Sequence, residues 1–284
     1  RSRGLGDVYK RQILQKLKDS GFQSFLVGGC VRDLLLKRVV RDWDIVTDAI
    51  PEQIKKIFNE YKTLMIGKSF QTVTIILNHK PYQISAIGNR NSKKRYKNQE
   101  DPLNILKNNL LCRDFTINAI AWNQDKGLLD PAQGLRDLSQ KTLRSINPDI
   151  RFKEDPLRML RAVRIACELA FVMSTEIRKS IYTNAFLIQH ISPERIREEI
   201  CLILDSPDAS QGVLLLKKNG LERYIFSLDR SKKIQIAKKG SKRISLSVFN
   251  HIKQDLAVQL ALWGRINFGS CQDAGIFYIP LVNY

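Results

Sequence analysis

The stretch FLVGGCVRDLLLKRVVRDWDIVTD, residues 25–48, decides the fold. Its apolar opening ends at Val27 and reads as the close of a strand over 22–27. Gly28-Gly29 turn the chain into a helix, CVRDLLLK, and WDIV (43–46) is a second strand. Two glycines between a strand and a helix let backbone N–H groups approach a phosphate, and a helix start favours anions. Arg32 adds a cation near that turn. The same residues also read as a plain strand-to-helix turn. A dinucleotide-binding turn fits less well, because G-x-G-x-x-G is absent and an acidic pair follows too soon.

That pair is Asp42 and Asp44, on either side of Trp43. On a strand, residues two apart point to the same side. Both carboxylates then project together while Trp43 faces the core. Hard oxygen donors of this kind suit Mg²⁺. Two such ions, roughly 3.5–4 Å apart, activate a hydroxyl and stabilise a leaving phosphate. By itself D-x-D is weak evidence and reads first as an ordinary turn or cap.

On the N-terminal side, residues 1–12 (RSRGLGDVYKRQ) have no clear periodicity and are expected to be a non-native or disordered start. Ile13, Leu14 and Leu17 form a short helical face that Gly21 can end. Towards the C-terminus, Pro51 opens a helix to about Asn59. TVTIIL (72–77) and YQISAI (82–87) read as a hairpin turning at residues 78–81. Residues 88–109 are polar and basic, and read as a mobile loop or lid. DFTINAIAW (114–122) reads as a helix, and KTLRSI (141–146) as a last strand.

From about 148 the pattern is helical. Leu157, Leu160, Val163, Cys167 and Ala170 recur at threes and fours, Pro193 opens a helix to Leu204, and another covers 208–219 before Gly220. Residues 229–243 are dense in Lys and Arg, and 255–263 look helical. The expectation is an α+β domain over 13–147, a helical one over 148–226, and a further helical part over 227–284.

With 47 Lys+Arg against 28 Asp+Glu, the 284-residue chain has a net charge of +19. Such a surface attracts polyanions, nucleic acid first. A basic protein without that role and an anionic membrane surface are the other readings. No run of about 18 apolar residues and no secretory signal pattern appears, so the expected setting is the cytoplasm, away from membranes. The five cysteines and three histidines lack zinc-ligand spacing, and scattered cysteines fit a reducing compartment.

Five short motifs, taken together, resemble the class II tRNA nucleotidyltransferase and bacterial poly(A) polymerase family. The first is Gly28-Gly29-Cys30-Val31-Arg32-Asp33 with Asp42-Trp43-Asp44-Ile45-Val46-Thr47. The second is Arg113-Asp114-Phe115-Thr116-Ile117-Asn118-Ala119. The third runs from Asp130-Pro131 through Gly134 to Asp137-Leu138. The fourth is Glu154-Asp155-Pro156-Leu157-Arg158, and the fifth runs from Ser192 to Glu199. They stand in the family's order over about 26–205.

The resemblance implies a mixed-sheet nucleotidyltransferase head of the DNA polymerase beta type, an all-helical neck and part of a helical body. It implies that Gly28, Gly29 and Arg32 hold the triphosphate, that Asp42 and Asp44 hold Mg²⁺, and that Arg113, Asp114 and Asn118 engage the nucleotide. Asp155 and Arg158 would read the base edge, with Arg161 and Arg164 further along. The chemistry agrees with base reading: a carboxylate accepts from an exocyclic amine, and a guanidinium donates to ring acceptors. Cytosine and adenine both offer that pattern. Without the family context, Asp155 and Arg158 read as a surface i,i+3 salt bridge, and Arg161 and Arg164 as a solvated stripe or a phosphate-facing one. The implied reaction adds CMP and AMP from CTP and ATP to a tRNA 3′ end, giving CCA. Poly(A) addition to another RNA 3′ end, partial CC or A addition, and a catalytically weakened RNA binder are the alternatives. The second motif runs on as Ile117-Asn118-Ala119-Ile120-Ala121, which looks more like the CCA-adding branch.

The chain departs from the family pattern in places. Gln83 stands where an acidic residue is usual, Gly88 where an arginine follows that strand, and Cys112 where an arginine is common. A third carboxylate ligand is therefore not expected. Family members also continue further, so the helical body is expected to be truncated at Tyr284.

Overall fold

The computed structural model describes residues 5–66, 72–78, 80–87 and 101–225. The chain divides between Asn147 and Pro148 into two compact units. The first unit begins with α1 (Leu5–Asp19), β1 (Ser24–Val27), α2 (Gly29–Leu35), β2 (Asp44–Thr47) and α3 (Pro51–Ile57). It continues through β3 (Lys62–Ile66), β4 (Thr72–Leu77), β5 (Lys80–Ala86) and α4 (Pro102–Leu111). A 3-10 turn (Thr116–Asn118), β6 (Ala121–Asn123), β7 (Gly127–Leu129), α5 (Gly134–Ser139) and β8 (Thr142–Leu143) complete it.

Seven strands form one mixed sheet in the order β3-β4-β5-β2-β1-β6-β7. Only β2 and β5 run parallel. Register explains the alternation in β2. Leu26, Ile45, Ile84 and Val73 lie side by side across four strands, and all are buried. Removing each from water contributes about 1.5–3 kcal/mol. This face also receives Tyr9 of α1, whose ring lies 6.5 Å from that of Tyr82. The opposite face carries a second apolar cluster of Phe25, Val27, Ile87, Leu106, Leu110, Ala119 and Ala121. Asp44 is in register with Gln83, and Gln83 with Thr74, one residue along from the buried row. Both Asp44 and Gln83 are exposed.

Several expectations need correction. Residues 5–12 are not outside the fold: they begin α1, where Lys10 is buried with its ammonium 3.8 Å from the centre of the Trp43 ring. The tail of 88–109 is not loop. Asp101 caps α4 by accepting from the Leu103 N–H (3.0 Å), and Leu106 and Leu110 enter the second cluster. The spacing Leu103, Leu106, Leu110 carried that signal within a polar context. Residues 88–100 lie outside the described residues. The segment 114–122 is not a helix either, but one 3-10 turn followed by a strand. The hairpin is tighter than expected, since Leu77 pairs with Lys80 and Pro81 stands inside β5. The strand expected over 141–146 is two residues long, and β3 was not anticipated.

The second unit comprises α6 (Pro148–Glu154), α7 (Leu157–Leu169), β9 (Val172–Met173), α8 (Thr175–Asn184), a 3-10 stretch (Ala185–His190), α9 (Pro193–Leu204), α10 (Ala209–Lys218) and α11 (Glu222–Ile225). One side of α7 is buried at Leu157, Leu160, Val163 and Cys167. Ala170 ends it in the left-handed region. Arg164 of α7 donates to Glu199 of α9 at 2.7 Å and to Glu168 at 3.1 Å, with little exposure on any of the three. Gly212 lets α10 approach closely, because a Cβ there would run into Ile203. The basic and helical stretches expected over 229–243 and 255–263 lie outside the described residues. Among the described residues, no helix is long and apolar enough to cross a membrane.

The third motif is a brace for the 3-10 turn. Asp130 accepts from the N–H groups of Gly134 (2.7 Å) and Leu135 (2.9 Å), starting α5. Buried Asp137 accepts from the Thr116 hydroxyl at 2.5 Å and from Arg144 Nε at 2.7 Å. A Cβ at Gly134 would collide with the Thr116 carbonyl, which is backbone and cannot turn aside. Gly134→Ala is therefore expected to cost about 1–3 kcal/mol, read as a lower urea midpoint with an unchanged slope.

Candidate nucleotide and metal site

The first unit gathers most of the expected residues at the end of β1. Gly28 has φ 82° and ψ −141°, a conformation that side chains resist. Its N–H donates to the Ile120 carbonyl (3.1 Å), tying the glycine turn to the second motif. A Cβ at Gly28 would overlap the Arg113 guanidinium and stand 3.5 Å from Asp44 Oδ2. Gly28, Arg113 and Asp44 thus meet at one point. At Gly29 a Cβ would make only ordinary contact with Arg32, so packing within the protein does not demand glycine there.

Asn118 joins the rest. Its Oδ1 accepts from Arg32 Nη1 (2.9 Å), its carbonyl from Arg113 Nη1 (3.4 Å), and its Nδ2 donates to Asp114 Oδ1 (3.1 Å). Asp114 also accepts from the Phe115 N–H, and Arg32 pairs with Asp33 at 2.9 Å. Asp114 and Asn118 are buried. Asn118 acts here by holding the arginines and Asp114 by holding Asn118, roles their polarity alone did not reveal. Thr47, at the end of the D-x-D-x-x-T run, is buried and donates to the Gln23 carbonyl (2.7 Å), so it anchors β2.

Asp42 lies just before β2 rather than within it, and Asp44 is the strand's first residue. The Asp44 carboxyl is pushed above its ordinary range, chiefly because surrounding protein withdraws water. Arg113 opposes that rise, and the charge of Asp42 adds to it. The carboxyl is exposed on its open side, so solvent moderates the effect. Two neighbouring carboxylates with incomplete compensation form a hard, anionic donor set that fits a divalent cation. Gln83, in register beside Asp44, offers a neutral amide oxygen. Among the described residues, no group of three or more His, Cys, Asp or Glu stands together to hold a metal.

The second unit holds the other constellation. Asp155 falls at the break between α6 and α7 rather than within a helix. Its Oδ1 accepts from the Leu157 N–H (3.2 Å) and its Oδ2 from Arg195 Nη2 (3.0 Å). Arg158 Nη1 donates to Glu154 Oε2 (2.9 Å) and to the Arg151 carbonyl (3.2 Å), while Arg151 Nη1 donates to both oxygens of the same carboxylate, at 2.7 and 2.8 Å. Asp155 and Arg158 therefore have separate partners and do not form the i,i+3 bridge that spacing allows. Arg161 is half-buried. Arg164 departs from the expected stripe: its guanidinium is enclosed between Glu199 and Glu168, so its role here is packing α7 to α9. The fifth motif supplies both Arg195 and Glu199, which sequence reasoning left without a role.

Comparison with known proteins follows the same division. A model of the poly(A) polymerase head domain matches residues 24–144, and one for the probable RNA and SrmB-binding site of polymerase A matches 170–228. The CCA-adding enzyme of Geobacillus stearothermophilus is 36% identical over 229 residues, covering 79% of this chain and 56% of that protein. The CC-adding tRNA nucleotidyltransferase of Halalkalibacterium halodurans is 34% identical over 230 residues, covering 80% of this chain and 57% of that one. The crystal structure of the Bacillus stearothermophilus CCA-adding enzyme in complex with CTP superposes with a TM-score of 0.66 at 35% identity, over 78% of this chain and 54% of that one. The chain spans about half the length of the curated relatives it matches. With the motifs, the mixed sheet and the helical unit all in agreement, the chain belongs to the family of CCA-adding enzymes and bacterial poly(A) polymerases.

Proposed function

We propose that this protein adds nucleotides to a tRNA 3′ end, completing CCA from CTP and ATP. The observation that carries the reading is the meeting of Gly28, Arg113 and Asp44 at one point, with Asn118 tying Arg32 to Arg113 behind it. Residues 13–147 serve as the head and 148–226 as the neck. The protein works in the cytoplasm, and its positive charge holds RNA.

In the head, the glycine turn leaves room for a triphosphate while Arg32 and Arg113 supply positive charge. Asn118, itself held by Asp114, keeps those guanidiniums in place. Asp42 and Asp44 hold Mg²⁺, which when bound acidifies the attacking hydroxyl and neutralises the leaving pyrophosphate. The RNA 3′ oxygen bonds to the α-phosphorus, the bond to the β-phosphate oxygen breaks, and the hydroxyl proton is lost. In the neck, Asp155 accepts from the exocyclic amine of C or A, and Arg158 donates to the ring nitrogen. Arg158 Nε and Nη2 have no protein partner among the described residues and can serve there. Arg161 adds charge nearby.

Incubating the protein with tRNA lacking CCA, with CTP and ATP separately and together, tests the reading. Ordered addition of C, C and A supports it. Long tails from ATP alone would reassign the protein to poly(A) synthesis. Addition of two cytidines only would make it a partial enzyme, like the Halalkalibacterium halodurans relative.

Asp44→Asn should lower incorporation by roughly a hundredfold or more. Its effect on stability has the opposite sign. Because the Asp44 carboxyl titrates above its unfolded value, ionising it costs folding free energy at neutral pH, and that cost disappears as pH falls below the unfolded value. The metal-free variant should therefore melt no lower than the wild type at pH 7, and any gain should vanish in acid. A clear loss of thermal stability would mean that Asp44 is structural.

Gln83 favours a second reading, an enzyme slowed by weak metal binding. Gln83→Glu places a carboxylate in register with Asp44. It should lower the Mg²⁺ concentration that gives half-maximal activity by about tenfold. No change would remove residue 83 from the metal site.

A further inference from the structure

We propose that Arg195 is a positioning residue for base selection, fixing the plane of the Asp155 carboxylate. The proposal rests on the base-reading role given above to Asp155 and Arg158. Discrimination between an amine and a carbonyl needs an acceptor with a defined direction, and the terminal torsion of an aspartate is broad and soft. Asp155 is poorly placed to be fixed by packing. It stands between α6 and α7, before Pro156, and is about a third exposed. Two donors fix it instead. The Leu157 N–H takes Oδ1 at 3.2 Å and Arg195 Nη2 takes Oδ2 at 3.0 Å. The first is local and travels with the turn. Only the second refers the carboxylate to another helix. With Arg195 gone, the group can rotate about its single remaining anchor.

Two ion pairs between the fifth motif and the fourth motif with its helix differ in burial, which separates positioning from stability. Glu199–Arg164 is enclosed, with side chains 9% and 15% exposed, and holds α9 to α7. Arg195–Asp155 is at the rim, 49% and 30% exposed, where a pair adds little to stability. Loss of Arg195 should therefore be felt by the nucleotide far more than by the fold. Arg158 has its own tether through Glu154, so it does not depend on Arg195.

The test is equilibrium binding of ATP, CTP, GTP and UTP to the 284-residue chain, with thermal melting of each variant. Arg195→Ala should weaken ATP and CTP about tenfold. GTP and UTP should stay within about twofold, and the thermal midpoint within about 2 °C. Arg195→Lys, which keeps the charge and a donor, should recover most of the loss. Unchanged ATP and CTP binding in Arg195→Ala, beside an impaired Asp155→Ala, would overturn the role of Arg195 alone. Equal weakening of all four nucleotides with a lower midpoint would make Arg195 structural and also overturn it. A wild-type chain that binds all four nucleotides equally would instead sink the base-reading assignment on which the proposal stands.

Discussion

Asn118 must satisfy both ends of its amide inside the protein, and the head is arranged around that requirement. A buried amide left unpaired costs roughly 1–3 kcal/mol per group. Here its oxygen takes Arg32, its nitrogen gives to Asp114, and its backbone carbonyl takes Arg113. Its partners come from two places, α2 and the residues after α4, and meet at the 3-10 turn that carries Asn118. The turn is held in turn by Asp137 and Arg144, through Thr116. A motif that looks catalytic by its charges is thus partly a scaffold, and Gly134 matters because it allows α5 to press against the turn.

The acidic pair illustrates the opposite balance. Asp44 sits where water is partly withdrawn and a like charge is near, so the fold holds it at a cost. Arg113 relieves some of that cost. A residue kept at a destabilising charge fits a group retained for binding a cation rather than for folding. Its neighbour in register, Gln83, adds no charge of its own.

In the helical unit, ion pairs of different kinds join α9 to the α6–α7 region. The enclosed Arg164–Glu199 pair, shared with Glu168, fixes how α7 and α9 pack. Removing one partner of such a pair costs about 3–5 kcal/mol, because the other is left buried and alone. The exposed Arg195–Asp155 pair is worth about 0–1 kcal/mol. Similar distances, 2.7 and 3.0 Å, therefore carry different meanings.

The sequence by itself determined the strand–glycine–helix–strand opening, the paired aspartates, the helix from Pro193 to Leu204, the next helix (read as 208–219 and formed over Ala209–Lys218), and the motif order. These depend on local spacing and on residues with strong conformational preferences. It could not reveal that residues 114–122 form a turn and the start of a strand paired on both sides, rather than a helix. Their apolar character comes from being covered on both sides, which short segments share with buried helices. It hid α4 within a polar run, and it hid that α1 starts at Leu5, because the burial of Lys10, whose ammonium lies over the Trp43 ring, is set by tertiary packing. Only tertiary structure decided which charged residues serve the fold. Arg164 and Arg158 look alike along α7. The first is enclosed by Glu199, a carboxylate 35 residues away, while the second keeps donors open, and no local pattern distinguishes them.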